Sequence, residues 1–139
     1  MTADQVRDAL DIARNAAPKM RPGGALLLMG GTGGRRISRE LGLASAATAV
    51  LPPFAAALAL ELAPVRVNLI AAGFVDTPLS ASYFSKEGLE ARREELRTTL
   101  PIRRVVEPAD VAALAVHIMT NTALTGATYD IDGGQQFVS

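Results

Sequence analysis

Residues Leu41 to Leu60, LGLASAATAVLPPFAAALAL, run for twenty positions without a charged side chain. Such a run must lie either in a bilayer or against the interior of a protein. As a membrane span it is poor: its apolar content is mostly alanine, no aromatic residues mark its ends, and no basic cluster flanks it closely. Pro52 and Pro53 sit in its middle. An interior proline removes a backbone hydrogen bond and costs about 3 kcal/mol. The stretch is therefore expected to be a kinked helix over 44–62, or a helix that starts properly at the prolines. Small side chains let backbones approach, so this helix is expected to be packed closely on both sides, with no membrane partner.

Two continuous apolar runs flank it. Ala25 to Met29, ALLLM, and Val65 to Gly73, VRVNLIAAG, read as strands buried on both faces, the pattern of a parallel sheet covered by helices. A third strand is expected over Thr125–Gly134, TGATYDIDGG, ending in a glycine turn that Asp132 organises. The remaining segments read as helices. Thr2 and Gln5 form a capping-box pattern, and Val6, Ala9, Leu10, Ala13, Ala16, Ala17 and Met20 recur at helical spacing over 3–19, interrupted near Pro18. Lys86–Leu100 reads as an exposed helix in which Arg92, Arg93 and Arg97 pair with Glu94 and Glu95. In EPADVAALAVHIMT, Glu107 caps, Pro108 takes the first helical position, and Val111, Leu114, Ala115, Ile118 and Met119 form the buried stripe. Alternating helices and strands imply an α/β fold: a narrow, doubly wound, Rossmann-like parallel sheet of about three strands flanked by helices. The 139 residues make one domain, 1–139.

Composition excludes several chemistries. There is no cysteine, so thiol catalysis and Cys-ligated metal are excluded; the lone His117 cannot make a metal site and reads as a surface residue. Lys plus Arg and Asp plus Glu balance at 14 each, which gives no field for nucleic acid; Arg35, Arg36 and Arg39 are only a small basic cluster. The first twenty residues carry acids and no apolar run, unlike a signal peptide, and a cytoplasmic location is expected. The loop GGTGGRR follows a buried strand, as a phosphate cradle does, but it has neither a Walker lysine nor G-x-G-x-x-G spacing; a mobile loop is the alternative.

Several fragments together resemble one family, the short-chain dehydrogenases/reductases. GGALLLMGG resembles the family's fifth strand, ALALELAPVRVN its long helix running into the sixth strand, and AAGFVDTPL the segment after it. EPADVAALAVHIM resembles the late helix and LTGATYDIDGG the final strand. The resemblance covers nearly the whole chain but only the C-terminal half of the family fold. It implies an oxidoreductase using NAD or NADP, with Gly73, Val75 and Thr77 as residual cofactor-side positions. It also implies a Tyr-x-x-x-Lys pair at the start of the long helix, where Ala44 and Thr48 stand instead. Thr32 is the candidate for the family serine, and Tyr83 falls in the family's lid loop; a packing role is the plainer reading of both Tyr83 and Tyr129. The family's T-G-x-x-x-G-x-G pyrophosphate turn has no counterpart here. A phenol of pKa near 10 needs a neighbouring ammonium to exchange protons at neutral pH, and alanine with threonine supplies neither group.

The expected function is accordingly that of a truncated, degenerate member without autonomous dehydrogenase activity. The alternatives are an oxidoreductase completed by a missing or separately encoded N-terminal half, and an accessory subunit of a full-length relative. The bare edge of strand 25–29 and the helices 3–19 and 44–62 predict a homodimer or higher oligomer.

Overall fold

The computed structural model describes residues 3–36, 39 and 42–138. The chain runs α1 (Ala3–Ala16), β1 (Ala25–Gly31), α2 (Gly42–Ala49), α3 (Leu51–Glu61), β2 (Arg66–Ala72), α4 (Pro78–Ala81), α5 (Lys86–Thr99), α6 (Pro108–Thr120) and β3 (Thr128–Ile131). Short 3₁₀ turns follow α1 (Ala17–Lys19), β1 (Gly33–Arg35) and β3 (Gln135–Phe137). The three strands form one parallel sheet in the order β1-β2-β3, with Leu28 opposite Leu69 and Ile70 opposite Tyr129. This is the expected truncated Rossmann-like α/β arrangement. The predicted interruption near Pro18 is the change from α-helix to 3₁₀ turn. The expected capping box at Thr2 lies outside the described residues.

Central position decides burial. All but the last residue of β2 is buried, and Val67, Asn68 and Ile70 have no exposed surface. Against one face pack Leu51, Ala55 and Leu58 of α3 and Ala13 of α1, which with Leu28, Val67 and Leu69 make the core cluster. The uncharged stretch is broken at Val50, and Pro52 and Pro53 occupy the first turn of α3, where their missing N–H groups leave no intrahelical bond unmade. By length and composition alone, Gly42–Glu61 suffices to cross a bilayer, with a mean hydropathy of 1.8. Here its buried side instead lies on the sheet.

Four expectations are corrected. The 42–61 segment is not packed on both sides: Leu43 is 74% and Leu60 83% exposed, and Val50 is exposed between them. Only one face meets the sheet, and no described element covers the other. Met119 of α6 falls outside its expected buried stripe, at 46% exposure, because a helix on a three-stranded sheet buries a narrow stripe. The last strand is shorter than expected. Before Thr128 the backbone serves other bonds, with Gly126 N–H donating to Val67 O and Ala127 O accepting from Leu69 N–H. Finally, Arg35 is not free to serve a basic cluster. Its guanidinium grips Asp130 at 2.5 and 2.6 Å and Gln136 Oε1 at 2.6 Å, pinning the loop after β1 to the far strand.

The exposed ion pairs of α5 are as expected, with Arg92 bonding Glu95 and Arg97 bonding Glu90 and Glu94. Arg93 reaches beyond its helix to chelate Asp76 at 2.8 and 2.9 Å. At the start of α6, Asp110 accepts from Glu107 N–H and from Arg104, and Arg104 foremost lowers its pKa to about 2. A folded-state pKa below the unfolded value means stability that is present above pH 4 and lost as pH falls toward 2. Asp110→Asn is therefore expected to flatten that acid limb of the unfolding profile. An unchanged slope between pH 4 and 2 would refute the assignment.

Candidate functional site

Parallel α/β sheets offer ligands the crevice beyond the carboxyl ends of their strands. A cleft of about 440 Å³ opens there. Met29, Gly30 and Gly31 of β1, with Gly33 and Gly34 of the following turn, form its floor. Gly73 after β2 forms one side, Ala44, Ser45 and Thr48 of α2 the other, and Leu79 and Tyr83 its outer rim. None of these lining residues is an acid, a lysine, an arginine or a histidine.

The geometry explains why α2 reaches the cleft. A Cβ at Gly34 would stand 2.7 Å from Thr48 Cβ and 2.9 Å from Ser45 O, so only glycine lets the 3₁₀ turn seat against the helix. The glycine-rich loop is thereby a packing element. Its Arg35, held by Asp130, restrains it further, and the same guanidinium holds the Asp130 carboxyl below its usual range.

Ala44 and Thr48, the positions the resemblance assigns to the dyad, both border the cleft. Ala44 presents a methyl group. Thr48 turns its hydroxyl back along the helix and donates to the Ala44 carbonyl at 2.7 Å, a common threonine alternative to facing outward. Ser45 between them is 7% exposed, and its Oγ has no hydrogen-bond partner among the described residues. Sequence reading passed over Ser45, since nothing in ASAAT marks one hydroxyl as unpartnered.

The other predicted site residues divide. Gly73 borders the cleft; Val75 and Thr77 do not. Val75 bridges to Val106, and Thr77 caps α4, accepting from Ser80 N–H at 3.1 Å. A Thr-Pro pair before a helical turn is a cap signature, so this role was readable from TPLS. Thr32 is 2% exposed and is not among the cleft-lining residues, and its N–H donates to Ala72 O. Tyr83 stands at the rim, 76% exposed. Tyr129 is half-buried in β3, and His117 lies on the exposed side of α6. Asp132 organises its turn as expected, accepting from Gly134 and Gln136 N–H groups.

Residues 4–136 match the family described as enoyl-(acyl carrier protein) reductase. Among curated relatives, an uncharacterised oxidoreductase of Mycobacterium tuberculosis (strain CDC 1551 / Oshkosh) is 35% identical over 118 residues, covering 83% of this chain and 44% of its own length. The human 3-oxoacyl-[acyl-carrier-protein] reductase is 30% identical over 118 residues, covering 84% of this chain and 46% of its own. A small-chain dehydrogenase solved in complex with NADPH superposes with a TM-score of 0.87 at 28% identity, over 93% of this chain and 58% of that one. The chain thus spans about half the length of the curated relatives it matches. Sheet order, cleft position and these matches agree: the chain belongs to the short-chain dehydrogenase/reductase superfamily.

Proposed function

We propose that this polypeptide keeps the nicotinamide-facing side of the family pocket and does not by itself catalyse carbonyl reduction. One observation carries the reading. At the positions that the resemblance assigns to the family's acid and its activating cation, the cleft wall carries a methyl group and a threonine whose proton is already engaged. The lining suits the nicotinamide end of NAD or NADP: among the described residues it is uncharged and, apart from Met29, Leu79 and Tyr83, made of small residues. Gly31, Gly33, Gly34, Ser45, Thr48 and Gly73 would hold that end, with Val75 and Thr77 shaping the segment behind it. The bound group would supply a hydride. The chain's own residues offer no matching proton relay, and loss of general acid–base help costs roughly 10²- to 10⁴-fold in rate. Among the described residues there is also no glycine-rich turn with the dinucleotide fingerprint spacing. The expected result is no absorbance change at 340 nm with NADH or NADPH and a panel of aldehydes and ketones. Turnover at rates usual for the family would overturn the reading. A cytoplasmic location goes with it.

A second reading, an assembly role, is favoured by the open edge of β1. That strand has seven residues, no charge, no proline and no bulge, and among the described residues it pairs only with β2. Natural edges normally carry such protection. The exposed Leu10, Ile12, Val50 and Leu60 on α1, α3 and the turn before α3 add apolar surface. Association with a second copy, or with a longer relative that would complete the coenzyme site, covers these features. Light scattering at micromolar concentration should give at least twice the 14.5 kDa chain mass. A monodisperse single-chain mass would count against self-association.

A further inference from the structure

We propose that the free edge of β1 pairs antiparallel with β1 of a second copy of this chain, with Leu28 of both copies at the two-fold axis, so that two three-stranded sheets become one. This pairing rests on the reading of the chain as one that assembles, and it names the surface used. The bonding directions along β1 follow from its ladder with β2. Gly24 O accepts from Arg66 N–H at 2.7 Å, and Thr32 N–H donates to Ala72 O at 3.0 Å. The register between these two bonds is unbroken, and the main-chain groups of successive residues point to alternate sides of a strand, so Leu26, Leu28 and Gly30 also bond β2. Ala25, Leu27, Met29 and Gly31 therefore turn both N–H and C=O away from the sheet. Among the described residues no turn or loop bonds any of these groups, and none of the four is a proline, so each can donate as well as accept.

The edge fits its own copy, and in one orientation. A two-fold axis that set the strands parallel would place each residue opposite itself. A parallel ladder instead needs a bonding residue opposite one that bonds elsewhere, as Arg66 lies opposite Ala25. Antiparallel strands carry no such conflict, because residues that exchange bonds lie directly opposite each other. With Leu28 at the axis, Ala25 meets Gly31 and Leu27 meets Met29 of the second copy, and every free group on the edge is used. The side chains suit that register. On the face that carries α3, Leu26 comes opposite Gly30, a position with no side chain, where Leu51 and Leu69 methyl groups stand 3.1 and 3.3 Å from the place of a Cβ. On the other face, Leu27 covers Met29, which is 51% exposed in the single chain. No charge meets a charge anywhere along the seven residues. Long side chains thus find short or exposed ones within one and the same strand sequence, so a second copy supplies the complement.

The test is backbone amide hydrogen exchange of the full chain, read residue by residue on either side of the dimerisation midpoint found by analytical ultracentrifugation. The amides of Ala25, Leu27, Met29 and Gly31 are expected to exchange about tenfold more slowly in the dimer or beyond, while those of Leu26, Leu28 and Gly30, bonded to β2, stay slow in both states. Met29→Lys places a cation on the edge at an exposed position; it should weaken the dimer by about tenfold or more, with an unchanged circular dichroism spectrum confirming the fold. The chain has no cysteine of its own. An oxidised equimolar mixture of Leu27→Cys and Met29→Cys chains should therefore give chiefly the mixed disulfide, because opposite bonded residues have Cα atoms about 5.5 Å apart. Homodisulfides in excess of the mixed one, or a Met29→Lys chain that dimerises like the parent, would overturn the proposal. A dimer whose four edge amides exchange as fast as in the single chain is held by another face; that result sinks this pairing and leaves the assembly reading standing. A chain that stays single at millimolar concentration sinks the pairing and self-association together.

Discussion

Replacing Arg66 with methionine is expected to lower the free energy of unfolding by about 3–5 kcal/mol. Arg66 opens β2 and is only 7% exposed. Its guanidinium donates to five carbonyl oxygens: Gly23 at 3.2 Å, Ile118 at 3.0 Å, Asn121 at 3.2 Å, Leu124 at 3.0 Å and Met119 at 2.7 Å. None of these partners is a carboxylate. Ile118 and Met119 belong to the last turn of α6 and Asn121 is its C-cap, so the cation satisfies the carbonyls that a helix end leaves unpaired. It also sits at the negative end of the helix dipole.

Methionine keeps much of the apolar stem and removes every donor. Hydrogen bonds to charged groups contribute about 1.5–3 kcal/mol each, but Leu124 O keeps a second donor in Asn68, and water can reach some of the rest; hence a total below the simple sum. Arg66→Lys should fall between, since an ammonium cannot reach all five oxygens from one point. Urea unfolding followed by circular dichroism reads the effect as a shifted midpoint. The loss should persist in 1 M salt, because Arg66 is only 7% exposed and screening acts on exposed charges. A loss under 1 kcal/mol, or one abolished by salt, would show that the five bonds do not act together as a helix-end clamp.

Arg66 also marks where sequence reading stops. The near-continuous apolar character of RVNLIAA made β2 legible, yet an arginine at its first position looks like an ordinary strand-end charge. What buries it is a helix end more than fifty residues later, a non-local fact. Of the two alternatives that Pro52 and Pro53 left open, the structure shows the helix that starts at the prolines, because a proline constrains its own backbone. Leu60 and Met119 were misplaced because periodicity tells which face is apolar, not how wide a stripe the sheet covers. In the cleft, spacing from Glu61 located Ala44 and Thr48, and the structure brings both to one wall. Ser45 was invisible because an unpartnered hydroxyl is defined by what its neighbours fail to offer. Thr77 was readable as a cap, but the family resemblance drew attention to its cofactor side instead.

Gly73 separates inherited packing from ligand contact, and substituting it should produce the second large effect. It lies in the turn after β2, where the resemblance implies a cofactor-side residue, and it borders the cleft. Yet a Cβ there would stand 2.6 Å from Asp132 Cβ, 2.6 Å from Gln135 Oε1 and 3.1 Å from Asp132 Cα. The glutamine end could swing aside, at the loss of its bond from Phe74 N–H at 2.8 Å. Asp132 cannot move as easily. It is 4% exposed, and its carboxylate holds the Gly134 and Gln136 N–H groups, so shifting it unpicks the turn after β3. Overpacking of this kind costs about 1–3 kcal/mol, with the upper end expected where the obstacle is close to backbone. Gly73→Ala should therefore lower Tm by on the order of 10 °C with no ligand present. Gln135→Ala in the same background should recover only a minor part of that loss, because it removes the movable obstacle and leaves Asp132. If Gly73→Ala melts with the parent and loses only nicotinamide affinity, the glycine is there for the ligand's approach, and the close packing of the β2 and β3 turns is not what requires it.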